Sequence, residues 1–176
     1  VKPDQERIVA AFNQGRVAGV GPVERVDTHL SHVFLARDRV YKLKRAVRLP
    51  FVDFSTLEQR RAACEAELAV NRRTAGDLYL GVLPVTISPD GAFALGGHGE
   101  IADWVVAMRR FDGDQQFDRL AAAKKLTVAR IEETVSRIAA MHAEASVSKG
   151  MGHAADYRAI IRELRHTEEE GAQRLG

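Results

Sequence analysis

Two lysines stand two residues apart in a run of strand-forming residues, Val40-Tyr-Lys-Leu-Lys-Arg-Ala-Val47. A period of two places Val40, Lys42, Lys44 and Ala46 on one face and Tyr41, Leu43 and Val47 on the other. Two readings fit this pattern: a solvated face along which both lysines snorkel, or a lysine held on a rigid strand over a cleft, where a compact point charge suits phosphate oxygens. A cation placed over a cleft gains from a partly buried carboxylate that fixes its position. The helical run 55–75 offers two, Glu65 and Glu67, which flank an apolar stripe of Leu57, Cys64 and Leu68 on opposite sides. Glu65 borders Arg61 and Arg72 and reads as part of a charged, solvated face. Glu67 borders Ala63 and Val70, which makes it the expected inward carboxylate, an exposed glutamate beside small residues being the other reading.

Other chemistry-bearing residues carry less. His29 and His32 form an H-x-x-H pair, but no Cys, Glu or third His lies at a zinc-ligand spacing, so no metal ligands are expected in the chain. His142 continues the apolar stripe of its helix and reads as a hydrogen-bonded core residue. His98 lies among glycines and carries no reading. Arg109 and Arg110 fit either an anionic ligand or a structural ion pair.

The elements that must position these residues follow from periodicity and turn chemistry. Residues 4–14 read as a short helix stopped at Gly15, because Ile8, Val9 and Phe12 fall at helical spacing. After the glycine-rich stretch 17–22, strands are expected at 23–26, 33–36 and 40–47, an antiparallel meander. Ser55-Thr-Leu-Glu58 has the spacing of a capping box and opens the helix that carries Glu67. Strands at 80–87 and 92–95 flank the turn Ser88-Pro-Asp-Gly91, and a further strand is expected at 104–108. Beyond Phe111 the period changes: Val128, Ile131, Val135, Ile138 and His142 mark an amphipathic helix. After a small-residue linker at 146–152, Tyr157, Ile160, Ile161 and Leu164 mark a last helix ending near Gly171. Strands with one inserted helix, then helices only, indicate an α+β chain.

Composition sets the bounds. With 176 residues, 45% hydrophobic and 28% charged, the chain can form a folded core and lacks the signature of disorder. Lys and Arg exceed Asp and Glu by only two, 26 against 24, so no nucleic-acid partner is indicated. The single Cys64 excludes an internal disulfide framework, and no apolar run approaches the roughly 18 residues of a membrane span. A cytoplasmic location is the expectation. Val1 in place of Met suggests a trimmed chain.

Four blocks occur in order: Thr28-His-Leu-Ser-His-Val-Phe-Leu35, Val40-Tyr-Lys-Leu-Lys44, Pro50-Phe-Val-Asp-Phe-Ser55 and Cys64-Glu-Ala-Glu-Leu-Ala-Val-Asn-Arg-Arg73. Together they resemble a bacterial family of aminoglycoside phosphotransferase-like enzymes, often fused to a separate P-loop ATPase domain. The resemblance covers at least residues 23–111. It implies a protein-kinase-like fold: residues 1–110 as a nucleotide-binding N-lobe, an antiparallel sheet of about five strands plus one helix, and residues 111–176 as the hinge and the start of a helical C-lobe.

On that resemblance Lys42 binds the nucleotide phosphates, with Lys44 as the alternative, and Glu67 is its helix partner. The segment 27–32 stands where kinases have a glycine-rich phosphate loop, but it contains no glycine, leaving the hydroxyls of Thr28 and Ser31 as substitute donors. Backbone groups around Val106, Met108 and Arg110 would meet the adenine edge. The implied activity is transfer from ATP, with magnesium, to a small hydroxylated acceptor, a sugar or an aminoglycoside. A catalytic-loop Asp and metal-binding Asn and Asp are required for transfer. The Gly-Asp pairs here, Gly76-Asp77 and Gly113-Asp114, are in the wrong places, so no catalytic residue is expected and the segment alone should be inactive. A non-catalytic regulatory nucleotide-binding module and a protein-interaction domain with an empty cleft are the rival functions.

Overall fold

The computed structural model describes residues 5–147 and 153–165, apart from 156 and 163. The chain divides into two units, Val1–Thr134 and Val135–Gly176. The first is a mixed α+β unit. Its helix α1 (Gln5–Asn13) is followed by strands β1 (Val17–Ala18), β2 (Glu24–Asp27), β3 (Ser31–Leu35) and β4 (Arg39–Lys44), then a small hairpin of β5 (Arg48–Leu49) and β6 (Val52–Asp53). Helix α2 (Leu57–Ala75), strands β7 (Tyr79–Ile87), β8 (Phe93–Leu95) and β9 (Glu100–Arg109), a 3-10 turn (Gly113–Gln115) and α3 (Phe117–Ala122) complete the order before α4 (Val128–Ala143).

The main sheet has seven strands rather than about five, in the order β1-β8-β7-β9-β4-β3-β2. Strands β2, β3 and β4 form the expected antiparallel meander, and β9 inserts between β4 and β7. The excess comes from β8, which pairs with β7, and from β1, two residues long, which joins β8 in parallel. So short a strand has no periodicity of its own. Its existence is decided by the partner edge that satisfies its backbone.

The sheet carries a helix on each face. Toward α1, Phe34, Tyr41, Leu43, Val105 and Ala107 pack with Ile8 and Phe12, whose ring stacks on Phe34 at 4.1 Å between centroids. Toward α2, Val40, Val106 and Met108 pack with Cys64. Alternation along β4 and β9 therefore sends adjacent residues into two different cores.

Local chemistry explains several boundaries. The cap of α2 is Thr56 rather than Ser55: its hydroxyl accepts from the Gln59 backbone N–H, and the Gln59 side chain accepts from the Thr56 N–H. Ser55 is diverted, donating its hydroxyl and its backbone N–H to Asp53 Oδ1 at 2.6 and 3.0 Å. Strand β4 ends at Lys44 instead of reaching Val47, because the Val47 N–H turns back to the Arg45 carbonyl and the Ala46 N–H is taken by Gln5 Oε1. The predicted turn between β7 and β8 forms, with Gly91 at φ 86°. Gly99 has a sharper requirement, since a Cβ there would lie 2.5 Å from the Ile87 carbonyl oxygen.

Helix α4 forms where the apolar period predicted it, yet none of its described residues is buried; Val128 is 70% and Val135 58% exposed. His142 is exposed as well, which corrects its reading as a core residue. The period of three and four specifies an apolar face, not what covers it. In the second unit, residues 157–162 are helical, with Tyr157, Ile160 and Ile161 exposed. The expected stop at Gly171 and most of the linker lie outside the described residues. Among the described residues no helix is long and apolar enough to cross a membrane.

Candidate functional site

Strand β4 and helix α2 bring Lys42, Lys44 and Glu67 together. The two lysines share a face of β4 because they are two residues apart, and Glu67 lies one turn beyond Cys64, the buried centre of the α2 contact. Lys42 Nζ donates to Glu67 Oε1 at 2.9 Å, and Lys44 Nζ donates to Glu67 Oε2. The two expected lysine roles are thus not exclusive in space, since each lysine has its own carboxylate oxygen. Their burial differs: the side chain of Lys42 is 29% exposed, Lys44 9% and Glu67 12%. Lys44 also lies 5.8 Å from the centre of the Phe54 ring. Glu65, by contrast, pairs with Arg61 on the exposed face of the helix at 2.8 Å.

A second polar cluster escaped the sequence reading. Arg60 and Asp103 are both buried, and Arg60 Nε donates to the two Asp103 oxygens at 2.9 and 3.0 Å. Arg60 Nη1 also bonds the Phe54 and Ser55 carbonyls, while Gln5 Nε2 bonds both Asp103 Oδ2 and the Lys44 carbonyl at 2.8 Å. This network ties the first turns of α1 and α2 to β9 and to the end of β4. The signal was present: Asp103 interrupts an apolar strand, and Arg60 stands one turn before Cys64 on the inward stripe.

The remaining expected residues are placed differently. Thr28 closes the β2–β3 turn, its hydroxyl accepting from the Ser31 N–H at 3.0 Å and donating to the Ser31 carbonyl at 3.1 Å. Ser31 itself is only 1% exposed. The Ser31 hydroxyl is therefore buried, whereas Thr28 is exposed with its hydroxyl engaged by the Ser31 backbone. Val106 pairs with both Lys42 and Val82, and Met108 with both Val40 and Tyr79, so β9 is a central strand. The Arg109 and Arg110 N–H groups bond the Leu78 and Asp38 carbonyls at 2.9 and 3.0 Å. These two donors are engaged by neighbouring chain. The Arg110 side chain bonds the Ala36 carbonyl at 2.8 Å and lies 3.9 Å from Glu24, the structural role. His32 pairs with Asp27 at 2.8 Å, and His98 is exposed.

Relatives exist, but they carry no assigned role. Over 147 residues, 80% of its length, the chain is 32% identical to uncharacterized proteins of Mycobacterium tuberculosis and of Mycobacterium bovis. It spans 28% of the length of those relatives. No family model matches the chain, and no solved structure matches it significantly.

The electrostatics of the lysine site follow from its burial. Desolvation pushes the Glu67 pKa up, but hydrogen bonds from Lys44 and Lys42 together with their charges outweigh it, leaving the carboxyl below its ordinary value. Burial also pushes the Cys64 thiol up to about 12, with Lys44 opposing, so this sulfur is a core group rather than a nucleophile. Tyr79 is raised by burial and then by the Glu67 charge. Two ammonium groups against one carboxylate leave one surplus positive charge in a partly desolvated place, beside an apolar surface of Val33, Leu35, Tyr79 and Val82. A groove of about 510 Å³ lies elsewhere, lined by α1 residues with Arg25, His32 and Arg45. Its basic groups are already engaged, Arg25 and His32 with Asp27 and Arg45 with the Thr28 carbonyl.

Proposed function

We propose that this chain is the ATP-binding part of a kinase-like phosphotransferase of the aminoglycoside phosphotransferase type, acting within a longer protein on a small hydroxylated molecule. The observation that carries the reading is the Lys42–Glu67 pair at 2.9 Å between a sheet and the helix packed on it, with Lys42 the more exposed of the two lysines. Five antiparallel strands with a helix between the third and the fourth, here β2, β3, β4, α2, β7 and β9, fit the lobe that the family resemblance implies. The apolar surface beside Lys42 suits a flat heteroaromatic base, and the surplus positive charge suits its phosphates.

In this reading Glu67 holds the Lys42 ammonium at the site until a nucleotide arrives, and Lys42 Nζ then turns from Oε1 to donate to a phosphate oxygen; that is binding, not transfer. Among the described residues no three His, Cys, Asp or Glu side chains converge, and both oxygens of Glu67 are engaged by lysines. Magnesium therefore does not fit this site. The acceptor base and metal ligands would come from other parts of the longer protein.

Titration with ATP, beside thermal unfolding without nucleotide, tests the reading. The chain should bind ATP weakly, show no ATP turnover, and lose about 1–3 kcal/mol of binding in Lys42→Ala, the worth of a charge-assisted contact. The melting temperature should barely move, because removing a partly exposed lysine leaves Glu67 with Lys44. Equal affinity of the two proteins would reject Lys42 as the phosphate ligand. Absence of binding at millimolar ATP would reject the nucleotide reading and favour an interaction domain.

A further inference from the structure

We propose that Lys44 is a positioning residue, the cation that holds the Glu67 carboxylate in place when an anionic phosphate draws Lys42 away. The inference rests on the nucleotide reading above and assigns the second lysine a job that the reading does not give it.

The geometry divides the two lysines. Each engages a different oxygen of Glu67, so Lys42 can leave Oε1 without disturbing the bond at Oε2. Lys44 is held on three counts: its side chain is 9% exposed, its ammonium lies 5.8 Å from the Phe54 ring centre, and its carbonyl is bonded by Gln5. Lys42 has the freer side chain, at 29% exposure. A carboxylate with one lysine only would be stranded once that lysine turned to a phosphate, and would then repel the ligand across a weakly screened gap. With Lys44 present the site holds two cations and one anion, so engaging Lys42 leaves Glu67 neutralised. Among the described residues, the other ionisable groups near Glu67 are Cys64 on α2 and Tyr79 on β7, both protonated at neutral pH, with the internally paired Arg60 and Asp103 beyond Cys64.

Removing Lys44 therefore has a consequence that a merely structural residue would not produce: ATP binding becomes coupled to protonation of Glu67. Calorimetric titration of ATP in buffers of different ionisation enthalpy reads the protons taken up. Comparison with wild type cancels the protonation of ATP itself. In Lys44→Met, uptake should exceed that of wild type by up to one proton, and affinity should fall by up to tenfold more per unit rise in pH. Adding Glu67→Gln to Lys44→Met should abolish the excess. Lys44→Gln, which keeps a polar group, guards against misfolding of the methionine variant and should show the same excess uptake. Unchanged uptake in a folded Lys44 variant would overturn the proposal. Should wild type fail to bind ATP, the nucleotide reading falls separately, and carbon-detected titration of the Glu67 carboxyl decides the role of Lys44. Lys44→Met should raise that pKa more than Lys42→Met; the reverse order would reject Lys44 as the anchor.

Discussion

Replacing Arg60 by methionine should destabilise the first unit by about 3 kcal/mol, near the lower end of the roughly 3–5 kcal/mol lost when one partner of a buried ion pair is removed. The substitution deletes both Nε hydrogen bonds to an Asp103 carboxylate that is 0% exposed. The lower end applies because Gln5 Nε2 and the Trp104 N–H still donate to that carboxylate, each at 2.8 Å. For a chain of 176 residues this corresponds to a melting temperature lowered by roughly 6–12 °C. Urea unfolding followed by the fluorescence of Trp104, the single tryptophan, reports on the element in question. The double variant Arg60→Met with Asp103→Leu should recover at least half of the loss, because it removes the stranded charge and leaves only uncharged groups, Gln5, the Trp104 N–H and the Phe54 and Ser55 carbonyls, to find new partners. A loss below about 1 kcal/mol in the single variant, or no recovery in the double, would refute the idea that a desolvated charge pair ties α2 to the sheet.

Three further outcomes follow from local chemistry. Glu67 has a folded pKa below its ordinary 4.5, so its stabilisation is present above that value and lost as pH falls through the folded pKa; the stability gap between wild type and Glu67→Gln should shrink in acid below about pH 4.5. Cys64, with its thiol pushed up to about 12 and its side chain buried, should resist iodoacetamide at pH 8 in the native protein and react once urea unfolds it. Thr56→Ala should cost about 1 kcal/mol in denaturant titration, whereas Ser55→Ala should leave the helix cap intact and cost less.

The one-residue shift of that cap shows how local rules can be right in kind and wrong in place. Ser55 and Thr56 both offer hydroxyls at the head of α2, and Ser55 loses the role because Asp53, two residues earlier, captures its hydroxyl and its N–H. The end of β4 was misjudged for a similar reason. The alternation of β4 continues by type to Val47, but Gln5 and the Arg45 carbonyl take the N–H groups that a longer ladder would use. Near Arg110, where backbone groups were expected to meet an adenine edge, the Arg109 and Arg110 N–H groups bond the Leu78 and Asp38 carbonyls, contacts that no local pattern announces.

What the sequence determined by itself is whatever one element decides alone: the alternation that put Lys42 and Lys44 on one face of β4, the stripe that turned Glu67 inward and Glu65 outward, and the strand-then-helix order. These follow from periods of 2 and 3.6 that tertiary contacts do not alter. The tertiary structure decided how elements meet: that both lysines reach the same carboxylate, that β1 exists at the far edge, and that Arg60 and Asp103, 43 residues apart, form one buried pair. Their types argue for the surface when each is read alone, and burial becomes tolerable only once the partner is there, because the cost of desolvating a charge is met by the opposite charge and not by the residue's own neighbours in sequence.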